Sequence, residues 1–247
     1  MAVVLYEDSE HKCVAFTDLV EGEGVQANQF AIVHQGHGML LDPGGNLVYK
    51  QLFAQISDYF APSNMQYVFA SHADPDIISC LNGLLLMTDA KVLIAQEWER
   101  FLPHFCQKGI SAGRLVSIPA QGLNISLQGL ELKVLPAHYL HTVGNFHIYD
   151  PISKILFSGD VGASFVDNDV AATTVTNVSE HVNNHGVIEF HQRYMTSNKA
   201  CKLWVQMIRS LDVEWIVPQH GSSYKGKETV EAFLGWFENL QCGIDLL

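Results

Sequence analysis

The chain has 247 residues, 48% hydrophobic, and carries 26 Asp and Glu against 14 Lys and Arg, a net charge of -12. Such a balance argues against a phosphate-backbone partner, because that affinity comes from Lys and Arg displacing counterions. No apolar run approaches the roughly 18 residues of a membrane helix and no leader pattern opens the chain, so one cytoplasmic domain over residues 1–247 with a sizeable core is expected.

Residues 12–20 and 29–42 read as strands, the second stretch folding back at Gln35-Gly36-His37-Gly38 and ending at Asp42-Pro43-Gly44-Gly45. Leu52, Phe53, Ile56, Tyr59 and Phe60 recur at helical spacing, so 47–60 is expected to be a helix that stops at Ala61-Pro62. A buried strand over 65–70 follows, then an apolar helix over 78–87, a strand over 91–95, a helix over 97–107 and a strand over 114–118. This alternation is that of an α/β protein. From Leu123 the pattern changes to strands in series, at 125–127, 130–135, 145–149 and 154–157. An irregular polar stretch is expected from Gly159-Asp160 to about Val178, then helices over 180–194 and 199–211, a strand over 213–217 and a helix over 229–240. Two similar halves of this kind predict two mixed β-sheets packed face to face and flanked by helices. Five cysteines without C-x-x-C spacing (Cys13, Cys80, Cys106, Cys201, Cys242) indicate buried thiols rather than a disulfide framework or zinc ribbon.

Between the strand at 65–70 and the helix at 78–87 lies Ser71-His72-Ala73-Asp74-Pro75-Asp76-Ile77. One imidazole and two carboxylates at alternating positions suit a metal, yet short polar residues before a helix also suit an N-cap and turn. Three further strand ends offer a ligand. They are His141 in Leu140-His141-Thr142-Val143-Gly144-Asn145, Asp160 after Phe157-Ser158-Gly159, and His220 in Pro218-Gln219-His220-Gly221. Each alone is commonly a turn or cap residue, but four strand ends each offering His or Asp favour a joint metal site. His138 and His147 flank the His141 segment without an assigned role. His34 and His37, at a hairpin turn, are expected to be solvated.

These ordered motifs, with Asp42-Pro43-Gly44 and Phe190-His191-Gln192-Arg193-Tyr194-Met195, resemble the metallo-β-lactamase superfamily. The likeness is to its di-iron branch, the flavodiiron proteins and related oxygen-binding di-iron proteins, and it spans essentially the whole chain. It implies a metallo-β-lactamase-like αββα sandwich and a site of two Fe ions with an oxo or hydroxo bridge. His72, Asp74 and His141 would hold one iron, Asp76 and His220 the other, with Asp160 bridging. By the same likeness Tyr194 would reach the site as a hydrogen-bond donor, packing on a helix face being the alternative. The chain departs from the family in having Asp74 where Glu is usual and Ile77 where His is usual. Carboxylate at position 74 suits iron or manganese better than zinc; Ile77 cannot ligate, which means either an open face for a small ligand or a weakened metal site. The resemblance implies an O2 sensor working through a ferric-peroxo adduct. One alternative is an O2 or NO reductase fed by a separate flavoprotein or rubredoxin, since no FMN-binding flavodoxin-like segment is evident. A metal-dependent hydrolase is the third reading. A homodimer and a signalling or electron-transfer partner in trans are further expectations, and nucleic acid and membrane are not expected as partners.

Overall fold

The computed structural model describes residues 1–165 and 171–247, so residues 166–170 of the expected irregular stretch lie outside the described residues. By internal contacts the chain forms two compact units, Met1–Val134 and Leu135–Leu247. The strands fall in two mixed sheets, of seven and six strands.

The first unit begins with β1 (Ala2–Glu7), β2 (His11–Phe16), β3 (Gln29–His34) and β4 (His37–Leu41), an antiparallel series. β5 (Met65–Phe69), β6 (Lys91–Ala95) and β7 (Leu115–Ile118) continue that sheet in parallel. β3 is buried at all six positions, as a central strand covered on both faces must be. The expected strand at 12–20 stops at Phe16, because the chain turns at Asp18 in a left-handed conformation (φ 56°). The half-exposed edge strand β1 is absent from the sequence reading, its apolar side chains being only partly covered. His34 is 8% exposed, which corrects the expectation of solvation: the hairpin tip is Gln35-Gly36, and His34 faces His11 across the β2–β3 pair.

Helix α1 (Tyr49–Ile56) buries Leu52 and Ile56, one turn apart. The expected helix at 78–87 is two short ones, α2 (Pro75–Ile78) and α3 (Leu81–Met87). They part because the Cys80 N–H bonds the Gly44 carbonyl at 3.1 Å and its thiol donates to the Pro43 carbonyl at 3.0 Å. Residues 99–104 form a 3-10 helix instead of the expected α-helix; Pro103 lacks the N–H that an α-helix would need there. The unit closes with the hairpin of β8 (Leu123–Leu127) and β9 (Leu130–Pro136), the latter running on past Val134.

In the second unit, β10 (Phe146–Asp150) pairs antiparallel with β11 (Ile155–Phe157). β11 pairs parallel with β12 (Trp215–Val217), and β12 pairs with the two-residue β13 (Tyr224–Lys225), too short to read from sequence. Within this unit the strand order is β13-β12-β11-β10. The helix expected over 180–194 is broken into α4 (Val178–Asn184) and α5 (Val187–Tyr194) at Gly186, whose φ of 67° a helix does not accept. α6 (Asn198–Ile208) buries Cys201, Trp204, Val205 and Ile208, and α7 (Lys227–Glu238) buries Val230, Phe233, Leu234 and Phe237. Both sets follow the i, i+3, i+4, i+7 spacing of one helical face. Among the described residues no helix is long and apolar enough to cross a membrane.

Candidate metal centre

In the first unit the carboxyl ends of β4 and β5 are tied together by Asp42. Its N–H donates to the Phe69 carbonyl at 2.8 Å, and its carboxylate accepts the Ser71 N–H at 2.7 Å. This fixes the backbone just before His72, a residue 1% exposed. The Ser71 hydroxyl engages His72 Nδ1 at 2.9 Å, so the imidazole presents Nε2 to Asp74, 3.6 Å from its Oδ2. Such a separation is too long for a hydrogen bond. Two ligands about 2.1 Å from one ion stand roughly 3.0–3.6 Å apart at angles of about 90–120°. Asp74 does occupy the N-cap position of α2, yet its side chain makes no capping bond, which removes the cap as its reason for being there. Asp76 stands half-buried in the first turn of α2 and borders a cavity of about 480 Å3 lined largely by Val20, Val25, Leu47 and Val48. Ile77 is fully buried in the apolar core of this unit, and its carbonyl accepts the Gly44 N–H at 2.8 Å.

The second unit gathers three of the expected ligands. His141 Nε2 lies 3.7 Å from one oxygen of Asp160, and His220 Nε2 lies 3.5 Å from the other. A carboxylate that faces one imidazole with each oxygen would be placed to offer one oxygen to each of two ions. Asp160 and His220 are each 4% exposed, where an uncompensated carboxylate would be costly and a cation offsets that cost.

Each of these ligands sits on a backbone that other residues hold. Tyr139 and His141 have φ of 66° and 84°, uncommon for residues with a Cβ. The turn is held by the buried Asn145, whose side-chain amide donates to the Leu140 carbonyl and whose own carbonyl accepts the Ala137 N–H at 2.8 Å. The Thr196 N–H bonds the Tyr139 carbonyl at 3.0 Å, and Leu140 bridges to Met195. Past Asp160, the Gly162 N–H donates to His191 Nε2 at 2.9 Å while His191 Nδ1 bonds the Val187 carbonyl at 2.6 Å. His191 therefore serves as a neutral prop, and burial lowers its pKa to about 4. After His220, Gly221 adopts φ 78° against Ser164, and a Cβ there would lie 1.9 Å from the Ser164 hydroxyl oxygen. No side chain fits that position.

The imidazoles face aromatic rings. Phe190 stacks on His141 at 6.1 Å between centroids, Tyr194 meets it edge-on at 5.2 Å, and Phe165 lies 5.1 Å from His220. Tyr194 is thus next to His141 through a ring contact. Phe165 carried no signal in the sequence, being one of 13 phenylalanines in an irregular stretch. His147 is a core residue whose Nδ1 accepts the Trp204 indole N–H at 3.0 Å, and half-buried His138 accepts the Gly144 N–H at 3.3 Å within the His141 turn.

Comparison with known proteins agrees with this architecture. The chemotaxis sensor ODP, solved as a peroxy diiron species, is 41% identical over 99% of this chain and 97% of its own, with a TM-score of 0.86. The apo state of the chemotaxis sensor ODP from T. denticola is 40% identical over 99% and 96%, with a TM-score of 0.87. The flavodiiron protein of Giardia intestinalis shares the fold at 16% identity (TM-score 0.78), over 96% of this chain and 59% of that one. An uncharacterized protein of Methanocaldococcus jannaschii is 21% identical over 210 residues, 84% of this chain and 52% of the relative. The chain thus spans about half the length of the curated relatives it matches. The fold is the metallo-β-lactamase-like α/β fold that the sequence motifs imply. Residues 25–221 match the family described as ODP family beta lactamase, and the chain belongs to that family.

Proposed function

We propose that this protein binds O2 at a centre of two iron ions and works as an oxygen sensor. The observation that carries the reading is the identity of 41% along 99% of the chain with a chemotaxis sensor whose structure holds a peroxy diiron species. The arrangement of His141 and His220 about the two oxygens of Asp160 supports it. The proposed ligands are His72, Asp74 and His141 for one iron and Asp76 and His220 for the other, with Asp160 shared; the two compact units would then act as one di-iron domain. The donor set is hard and anionic, three carboxylates with three imidazoles, which suits iron. When bound, the two ions supply one electron each to a small ligand and an open position at which to hold it.

The residues around the ligands control what reaches them. Ser71 aims His72, Asn145 aims His141, and Gly221 with Ser164 aims His220. Phe190, Tyr194 and Phe165 pack on the imidazoles of His141 and His220 and shape the approach to them. The apolar cavity beside Asp76 provides room for an uncharged diatomic molecule. A homodimer in the cytoplasm, passing its state to a signalling protein in trans, completes the proposal.

The test is optical. Anaerobic protein loaded with ferrous iron and exposed to O2 is expected to develop a visible charge-transfer band that persists, with about one O2 taken up per two iron ions. Continuous O2 or NO consumption from an added flavoprotein or rubredoxin without such a band would identify a reductase. Tightly held zinc with ester or lactam cleavage would identify a hydrolase. His72→Ala is expected to lower the iron content, and an unchanged iron stoichiometry would remove His72 from the ligand set.

A further inference from the structure

Two cysteines far apart in sequence meet in the second unit. Cys201 lies on the buried face of α6, Cys242 opens the short 3-10 helix Gly243–Leu246, and their Sγ atoms are 3.7 Å apart. Both are fully buried. A disulfide needs its sulfurs at about 2.05 Å, so closure requires an approach of roughly 1.7 Å, within the reach of side-chain rotation and a small shift.

The surrounding structure keeps the pair in register. The Asn198 N–H, at the start of α6, donates to the Asp245 carboxylate, and the Asn198 side chain donates to the carbonyls of Glu238 and Leu240 at 2.8 and 2.7 Å. On the other side of the pair the Ile244 N–H bonds the Thr196 carbonyl at 3.0 Å. The two sulfurs share a hydrogen bond in which either thiol can be the donor, and sharing it holds Cys242 below the ordinary thiol range and Cys201 above it. The other thiols differ: burial pushes Cys80 up to about 12, its thiol donating to Pro43, and burial also raises Cys106.

We propose that Cys201 and Cys242 are a reversible dithiol–disulfide couple, oxidised by hydrogen peroxide. The Cys242 thiolate attacks one peroxide oxygen and the O–O bond breaks. This leaves a sulfenic acid on Cys242 and hydroxide, which takes up the proton released when the thiolate formed, giving water. The Cys201 sulfur then attacks Cys242 Sγ, the S–S bond forms, and hydroxide leaves with the Cys201 proton as a second water. In sum two thiols lose two electrons, one peroxide gains them, and two waters result. The couple stands close to the His141 turn, since Thr196 bonds Ile244 through its carbonyl and Tyr139 through its N–H.

This inference rests on the two sulfurs alone and is tested on metal-free protein, so it stands or falls separately from the di-iron reading. Full-length reduced protein is treated with one equivalent of hydrogen peroxide, denatured in an alkylating reagent and weighed. Two of the five thiols are expected to disappear, with a proteolytic fragment joining positions 201 and 242 and full recovery in dithiothreitol. In Cys201→Ser and in Cys242→Ser no pair of thiols is expected to be lost to peroxide and no fragment joining positions 201 and 242 is expected. Five alkylated thiols after peroxide in the unsubstituted protein, or a link through Cys13, Cys80 or Cys106, would overturn the couple.

Discussion

His191 makes a sharp prediction because its two ring nitrogens are committed in one protonation state. Nδ1 donates to the Val187 carbonyl and Nε2 accepts from the Gly162 N–H, inside a site with no exposed surface. Protonation would turn Nε2 into a donor facing another donor in a dry environment, which is why burial lowers the pKa from 6.5 to about 4. The sign follows by linkage: below pH 6.5 the unfolded chain binds a proton that the folded chain refuses. The stabilisation is therefore complete above pH 6.5 and is lost as the pH falls toward 4. At 1.36 kcal/mol per unit, this one group costs roughly 3 kcal/mol across that window. Guanidinium unfolding of metal-free protein between pH 7.5 and 4 measures it. His191→Gln supplies the control, because a glutamine amide can donate to Val187 and accept from Gly162 but does not titrate. The wild type is expected to lose about 3 kcal/mol more than His191→Gln over the window. Parallel pH profiles for the two proteins would refute the assignment of His191 as a neutral prop.

Gly221→Ala is expected to destabilise the protein by about 2–4 kcal/mol, from left-handed backbone strain together with overpacking against Ser164. Because the strain falls beside His220, iron content should drop with it; a variant with unchanged unfolding midpoint would contradict the packing described. Ile77→His would place an imidazole in the apolar core of the first unit, and is expected to lower the stability of metal-free protein by about 2–5 kcal/mol. If the imidazole reaches a metal, iron restores much of that loss in thermal unfolding, whereas equal losses with and without iron would show that position 77 faces only the core.

Much of the fold was legible because strands such as β3 and β5 and helices such as α6 and α7 carry unbroken apolar patterns. What was not legible depended on single backbone bonds. The Cys80 N–H turns to Gly44 instead of extending a helix, Pro103 turns an expected α-helix into a 3-10 helix, and Gly186 parts α4 from α5. The burial of His34 has another cause. Its hairpin partner geometry brings His11 opposite, with ring centroids 5.5 Å apart, and a turn signal in sequence does not report what lies across the strand pair. The six candidate ligands are a reading of the sequence motifs, whereas the part played by His191 needed coordinates, since nothing local to Phe190-His191 says that Gly162 is its partner.

Those motifs were informative for a reason that the coordinates explain. The proposed ligands are only two residue types, His and Asp, and any strand end can bear one. The more specific letters are their non-ligand neighbours. Asp42 accepts the Ser71 N–H and fixes the approach to His72; Asn145 bonds the Leu140 carbonyl and holds His141 at a φ few residues adopt. Gly221 permits the close contact with Ser164 after His220, and His191 satisfies the Gly162 N–H after Asp160. A site that must place several donors to within a fraction of an ångström needs its backbone fixed independently of the metal, because a loop left to follow the ion would charge its ordering entropy against binding. The strained turn at His141 is the clearest instance. A conformation costing about 1–3 kcal/mol persists only when the surrounding bonds over-determine it, and here Asn145 and the Met195-Thr196 segment do so. The support residues, more than the ligand spacing, are what make this pattern of His and Asp specific.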